Sequence, residues 1–198
     1  AATPLLRVLA IMRFVLMGPP GAGKGTQAVK VAESLQVPHI STGEIFRKNV
    51  GEGTELGQQA KEYMDKGEYV PDSVVNAMVA DRLGQDDAAH GFLLDGYPRT
   101  APQVAELNGI LADGGYELDA AVEITADTEE VVQRLLKRAE LEGRPDDTEE
   151  VIRRRMEVYA AETEPLTRLY ADQGVLRQVD GMGTVEEVSC RILAALRD

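Results

Sequence analysis

The chain of 198 residues is 43% hydrophobic and 28% charged, which suits one soluble globular domain able to bury a sizeable core. Its net charge of −13, from 34 acidic against 21 basic side chains, argues against a broad nucleic-acid or anionic-membrane surface, so basic groups that meet phosphates should be gathered in one place. Cys190 is the single cysteine and His39 and His90 are the only histidines, which excludes internal disulfides and a cysteine-built zinc cage and argues against histidine-based catalysis.

In chain order, residues 1–11 carry Leu5-Leu6, Val8-Leu9 and Ile11, but Arg7 interrupts them. The run is too short and too charged for a membrane span, and no small-residue cleavage site follows. Met12 would serve as a natural start, so residues 1–11 read as an appended extension, residues 12–198 as one domain, and the cytoplasm as the default location. Arg13–Met17 reads as a buried strand, followed by Gly18-Pro19-Pro20-Gly21-Ala22-Gly23-Lys24-Gly25-Thr26. Ala28, Val31, Ala32 and Leu35 then recur at helical spacing, so the glycines sit on a strand-to-helix turn. Such a turn lets backbone N–H groups close on a polyphosphate, the helix N-terminus adds partial positive charge, and Lys24 adds a full one. The general phosphate-loop pattern has Ser or Thr directly after the lysine; here Gly25 intervenes before Thr26.

Further strands are expected at His39–Ser41, Phe92–Leu94, Ala120–Ile124 and Val175–Val179, and helices over 24–35, 43–50, 54–66, 72–84, 101–113, 127–138, 147–172 and 184–197. This alternation predicts an α/β fold with a parallel five-stranded sheet and helices on both faces. Two segments break the pattern. Three helices over 43–84 stand where one crossover would do, and Ala139–Asp146 is a charged stretch between two helices. Open α/β sheets bind ligands at the carboxyl ends of strands, so both segments are expected to cover substrate.

Arginines recur where the chain should face the phosphate loop: Arg47, Arg99, the pair Arg134 and Arg138, Arg144 and Arg155. Guanidinium groups suit phosphates because their fork bonds two oxygens at once. Like charges at i and i+4 repel, so an anion between Arg134 and Arg138 would account for that pair. Arg155 shares a helical stripe with Val151, Ile152 and Tyr159 and needs a partner there; Arg153, Arg154 and Arg168 read as ordinary surface residues. Asp95 closes the apolar run Gly91–Leu94, where an acid would orient Mg²⁺ or its water shell, or else cap a turn. Asp147 with Glu150 makes a capping box for the long helix, and Asp146 or Asp147 could equally pair with arginines. No residue stands out as a general base. Transfer between phosphates tolerates that, because the acceptor is already an anion.

With these motifs in place, the chain resembles the adenylate kinases from about Met12 to its C-terminus. The resemblance rests on Gly18–Thr26, Ser41-Thr42-Gly43-Glu44, Asp95-Gly96-Tyr97-Pro98-Arg99 and Gly143-Arg144-Pro145-Asp146-Asp147. It implies transfer of a phosphoryl group from ATP to AMP, giving two ADP reversibly, on a phosphate-loop NTPase-like fold with a helical NMP-binding insert (41–70) and a short lid (139–146). The implied ATP site is Gly21, Ala22, Gly23, Lys24, Gly25, Thr26 and Arg134. The implied AMP site is Thr42, Arg47, Val70, Gly96, Arg99, Gln103, Arg144 and Arg155. Lys24, Arg99, Arg138, Arg144 and Arg155 would surround the transferred group, with Mg²⁺ held by Thr26 and, through water, Asp95. Only five residues separate Arg138 from Arg144, so the lid is of the short type and cannot carry the zinc-binding cysteines of some relatives. A UMP/CMP kinase is the nearest alternative, against which Thr42 and Gln103 favour adenine. A catalytically silent nucleotide sensor would need a lost group, yet Lys24, Asp95 and the arginines are present. The implied partners are ATP and AMP alone, without nucleic acid or membrane, and the implied state is a monomer.

Overall fold

In the computed structural model, residues 12–143 and 148–197 are described. The expected extension at residues 1–11, and Arg144, Asp146 and Asp147, lie outside them.

Strand β1 (Met12–Met17) shows how the sheet forms. Its residues alternate between two cores: Phe14 and Leu16 pack on one face, Val15 and Met17 on the other. A strand buried on both faces needs apolar side chains at every position, which is why it reads as a continuous run. Arg13 is the exception, and its charge is provided for. Its guanidinium lies 3.6 Å over the Tyr116 ring and donates to the Ala89 carbonyl at 2.7 Å.

Strands β2 (His39–Ser41), β3 (Gly91–Asp95), β4 (Ala120–Thr125) and β5 (Leu176–Asp180) complete a five-stranded parallel sheet in the order β2-β3-β1-β4-β5. Helices α1 (Lys24–Leu35) and α8 (Val185–Arg197) cover one face through Ala28, Val31, Ala32, Val188 and Ile192. On the other face α4 (Asp72–Leu83), α5 (Ala101–Asp113) and α7 (Glu149–Asp172) bury Met78, Val79, Val104, Leu107, Leu166 and Tyr170. The parallel α/β architecture read from the alternation is therefore the one observed.

Between β2 and α4, α2 (Thr42–Glu52) and α3 (Glu55–Asp65) pack on each other. Their junction is fixed from both sides. Thr54 caps α3, accepting from Gly57 N at 3.0 Å, and donates its hydroxyl to Asn49 Oδ1 at 2.7 Å. Gly57 lies so close to α2 that any β-carbon there would overlap the Asn49 carbonyl. Tyr69, at the far end of this insert, is 99% exposed.

Two boundaries differ from expectation. Helix α6 (Thr128–Glu142) continues four residues past Arg138 and stops at Gly143, whose φ of 63° is left-handed. The first part of the expected lid is thus the last turn of a helix. Helix α7 is capped by Thr148, whose hydroxyl accepts from Val151 N at 3.3 Å; the expected box begins at Asp147, outside the described residues. The Ser/Thr cap one position later serves the same orphan N–H groups.

Candidate active site

The strand order brings the ends of β1, β3 and β2 side by side, and the sequence motifs follow those ends directly. In the ladder Leu16 of β1 and Ser41 of β2 both stand beside Asp95, the last residue of β3. The glycine turn leaves β1 and enters α1 at Lys24. Gly21 is the tightest point: its φ is +80° and a β-carbon would stand 2.9 Å from Leu135 on α6. Only glycine satisfies both demands.

Lys24 Nζ lies 2.8 Å from Asp95 Oδ1, and His39 Nε2 lies 3.2 Å from Asp95 Oδ2. Burial by itself would raise the Asp95 pKa, but the hydrogen bonds and charges of His39 and Lys24 outweigh it and hold the carboxyl below its ordinary 3.8. Asp95 is therefore an ionised acceptor, and His39 must present a protonated Nε2 to it. His39 was missed in the sequence because a lone histidine on a short strand carries no motif. The signal was positional, since His39 pairs with Leu93, two residues before Asp95 and on the same sheet face.

A cavity of about 880 Å³ opens over the turn, lined by Gly18–Gly21, Gly23–Thr26, Gly96, Arg99, Arg138, Arg154 and Arg155. Of the stripe expected on α7, Val151, Arg155 and Tyr159 line the cavity, whereas Ile152 is buried in the core. Arg155 is accordingly exposed, and its neighbour Arg154, read as ordinary surface, is on the same wall. A second cavity, of about 420 Å³, is lined by Thr42, Gly43, Phe46, Arg47, Val75, Gly96, Tyr97, Arg99 and Gln103. The two cavities share Gly96, Tyr97 and Arg99. Arg99 is thus common to both walls, with its Nε donating to the Gly96 carbonyl at 2.9 Å.

Of the other expected residues, Ala22 is buried beneath the turn and Val70 packs against the core instead of lining the smaller cavity. Arg134 does not line the large cavity; it pairs with Glu130 at 3.1 Å, while Arg138 pairs with Glu142 at 3.1 Å. The repulsion expected between these two arginines is thus relieved by glutamates on the same helix, one turn to either side, and requires no bound anion. Arg153 makes a forked pair with Glu129 at 2.7 and 2.8 Å and reaches Glu149 at 2.9 Å, tying α7 to α6. Arg168 pairs at the surface with Glu164, as a surface residue should.

A family model described as adenylate kinase matches residues 16–175. The chain belongs to the adenylate kinase family. It is 57% identical over 185 residues to an adenylate kinase of Nocardioides sp., covering 93% of this chain and 97% of that protein. An adenylate kinase of Micrococcus luteus is 54% identical over 184 residues, covering 93% of this chain and 90% of its own length. One from Thermobifida fusca is 53% identical over 186 residues, covering 94% and 98%. Against this adenylate kinase background the first three motifs supply lining residues to the two cavities that share Gly96, Tyr97 and Arg99, the fourth lies largely outside the described residues, and His39, Phe46, Val75 and Arg154 are additions that no motif announced.

A third cavity, of about 340 Å³, lies behind the turn between Pro19, Glu123 and Tyr159. Glu123 Oε2 is buried without a hydrogen-bond partner among the described residues. Burial pushes the Glu123 pKa above its ordinary 4.5, with Gln178 opposing the shift only in part. Above that ordinary value the folded state therefore carries a charge that it holds less well than the unfolded chain does. Glu123→Gln is expected to raise the melting temperature at pH 8, and the gain should shrink as the pH falls toward 4, where both states are protonated. Thermal unfolding at the two pH values checks this; an equal change at both would show that the charge is not the cause.

Proposed function

We infer that the chain transfers the terminal phosphoryl group of ATP to AMP and, in reverse, forms ATP and AMP from two ADP. One observation carries this reading: a cavity over a phosphate-binding turn and a second, smaller cavity share the guanidinium-bearing wall at Arg99. Two anionic substrates seated in them would meet there. In this reading the backbone N–H groups of Gly21, Ala22, Gly23 and Gly25 and the Lys24 ammonium hold the ATP phosphates, with Arg134 at the nucleotide's outer side. Thr42, Arg47, Val70, Gly96, Arg99, Gln103, Arg144 and Arg155 receive AMP. Lys24, Arg99, Arg138, Arg144 and Arg155 neutralise the charge that spreads over the moving group, which is most of what such a reaction needs.

Thr26 lines the large cavity and Asp95 stands behind it, 2.8 Å from the cavity-lining Lys24; both are hard oxygen donors, and the ionised Asp95 fits a cation that keeps much of its water shell. Thr26 and Asp95 would hold Mg²⁺ there, which would supply positive charge to offset that of the phosphates. Lys24 would then exchange Asp95 for phosphate, leaving His39 to orient the carboxylate. Residues 12–198 act as one kinase domain with 41–70 and 139–146 as substrate covers and residues 1–11 as an appendage. No structural zinc belongs to this reading. The described residues contain no helix long and apolar enough to cross a membrane, and we place the protein in the cytoplasm as a monomer acting on nucleotides alone.

A coupled ADP-release assay with ATP, Mg²⁺ and each nucleoside monophosphate in turn tests the proposal. AMP should be turned over well ahead of CMP and UMP. Turnover led by CMP or UMP, or none with any acceptor, would overturn it.

A further inference from the structure

The Gln103 side chain on the first turn of α5 is only 7% exposed and is gripped at both ends. Its Oε1 accepts from the Arg99 backbone N–H at 2.7 Å, and its Nε2 donates to Asp72 Oδ1 at 3.2 Å. Both partners work in one direction only. A backbone N–H donates, and a carboxylate accepts. Turning the amide over would set N–H against NH₂ and carboxylate against carbonyl, so one orientation is imposed. Each end keeps one unused valence, a lone pair on Oε1 and a hydrogen on Nε2.

We propose that Asp72, the first residue of α4, is a positioning residue for base selection, acting through Gln103. The inference rests on the reading of Gln103 as the group that meets the AMP base. A free amide could serve two kinds of base edge by flipping. The held amide offers an acceptor and a donor in one fixed order. That order complements an exocyclic amine beside an unprotonated ring nitrogen, as in adenine. Hypoxanthine and guanine present the reverse, a carbonyl beside a ring N–H. The direction of the amide, and not its mere presence, then rejects the oxo-purines. Asp72 does not line the cavity itself. One turn further along α4, Asn76 Oδ1 accepts from the Tyr97 hydroxyl at 2.8 Å, so the helix braces the cavity wall from two successive turns. A favourable charge at a helix N-terminus would also explain an Asp at this position, and the test must separate the two roles.

The probes are AMP as substrate and inosine monophosphate, a purine with the reversed edge, as a competitive inhibitor against AMP. The quantity read is the inhibition constant of the inosine nucleotide divided by the KM for AMP. Asp72→Ala should lower this ratio by about tenfold, the order expected for a lost hydrogen bond to a charged group. The change should fall on KM and the inhibition constant, with kcat for AMP held within about twofold. Asp72→Asn keeps an acceptor oxygen and should restore most of the ratio. Gln103→Ala should collapse it, and adding Asp72→Ala to that variant should change nothing more, because coupled residues are not additive. A ratio unchanged in Asp72→Ala but collapsed in Gln103→Ala would overturn the role of Asp72 and leave that of Gln103 standing. A ratio unchanged in both would remove Gln103 from base recognition, and the inference with it. Equal weakening of both nucleotides with a lower melting temperature would reduce Asp72 to a helix-end charge and likewise overturn the proposal.

Discussion

Lys24→Met is expected to remove phosphoryl transfer while leaving the fold standing. Lys24 begins α1 at the floor of the large cavity, and its single close ionic partner among the described residues is Asp95, at 2.8 Å. None of the buried residues of either core depends on its ammonium. Losing one preorganised charge-stabilising group costs roughly 10²–10³ in rate, and a full positive charge directed at the phosphates belongs at the upper end of that range. Stability should fall only slightly, since Asp95 keeps His39 and neither member of the lost pair is fully buried. With Lys24 gone, the forces that hold the Asp95 pKa down weaken, so what remains of its stabilising contribution is lost at a higher pH during acid titration than in the parent protein. A coupled assay beside a thermal melt reads both effects. A folded variant with activity within a few-fold of the parent would remove the turn from the phosphate site.

The second large effect is expected at Arg138 and Arg155. Both line the large cavity, on α6 and α7 respectively, across from the phosphate loop. If they close on the transferred group as its charge spreads, their contacts are stronger in the transition state than with either bound substrate, and Arg138→Ala or Arg155→Ala should lower kcat far more than it raises KM. An arginine in that position is worth roughly 10³–10⁵ in rate. Arg153→Ala is the control: its guanidinium is engaged by Glu129 and Glu149 and does not line that cavity, so kcat should hardly move. Steady-state kinetics on the three variants separates these cases. A loss below about tenfold at Arg138 and Arg155, or an equal loss at Arg153, would argue that the arginines serve the helices and not the chemistry.

What could be read in the sequence was whatever the chain repeats locally. The strands stood out because a parallel sheet covered on both faces demands unbroken apolar runs, and β1 and β3 supply them. The glycine turn was legible because strand, spacing, lysine and helix coincide there. Other features depend on what lies opposite. Glu140-Leu141-Glu142 looked like a loop because it carries no apolar stripe, yet α6 continues through it on the Arg138–Glu142 pair until Gly143 stops it. Arg155 looked like a charge in the core because its neighbours Ile152 and Met156 are apolar and buried; Arg155 itself lines a cavity, which no periodicity reveals. Arg154 and His39 were passed over for the same reason, since their importance comes from the neighbouring element and not from their own segment.

The locked junction of α2 and α3 has a practical consequence for observing the molecule at work. Because Gly57 seats one helix directly on the other, residues 42–65 should travel as one body, and the Glu68 N–H that donates to the Tyr63 carbonyl at 2.9 Å ties the residue before Tyr69 to it, so a label at Tyr69 reports the displacement of that body. The chain contains no tryptophan, and Tyr69 stands in solvent just before the chain enters α4. A Tyr69→Trp variant would therefore carry a single indole against a dark background. A shift in its emission wavelength on titration with AMP would give the insert's movement as an optical signal, readable on the stopped-flow timescale without any added dye.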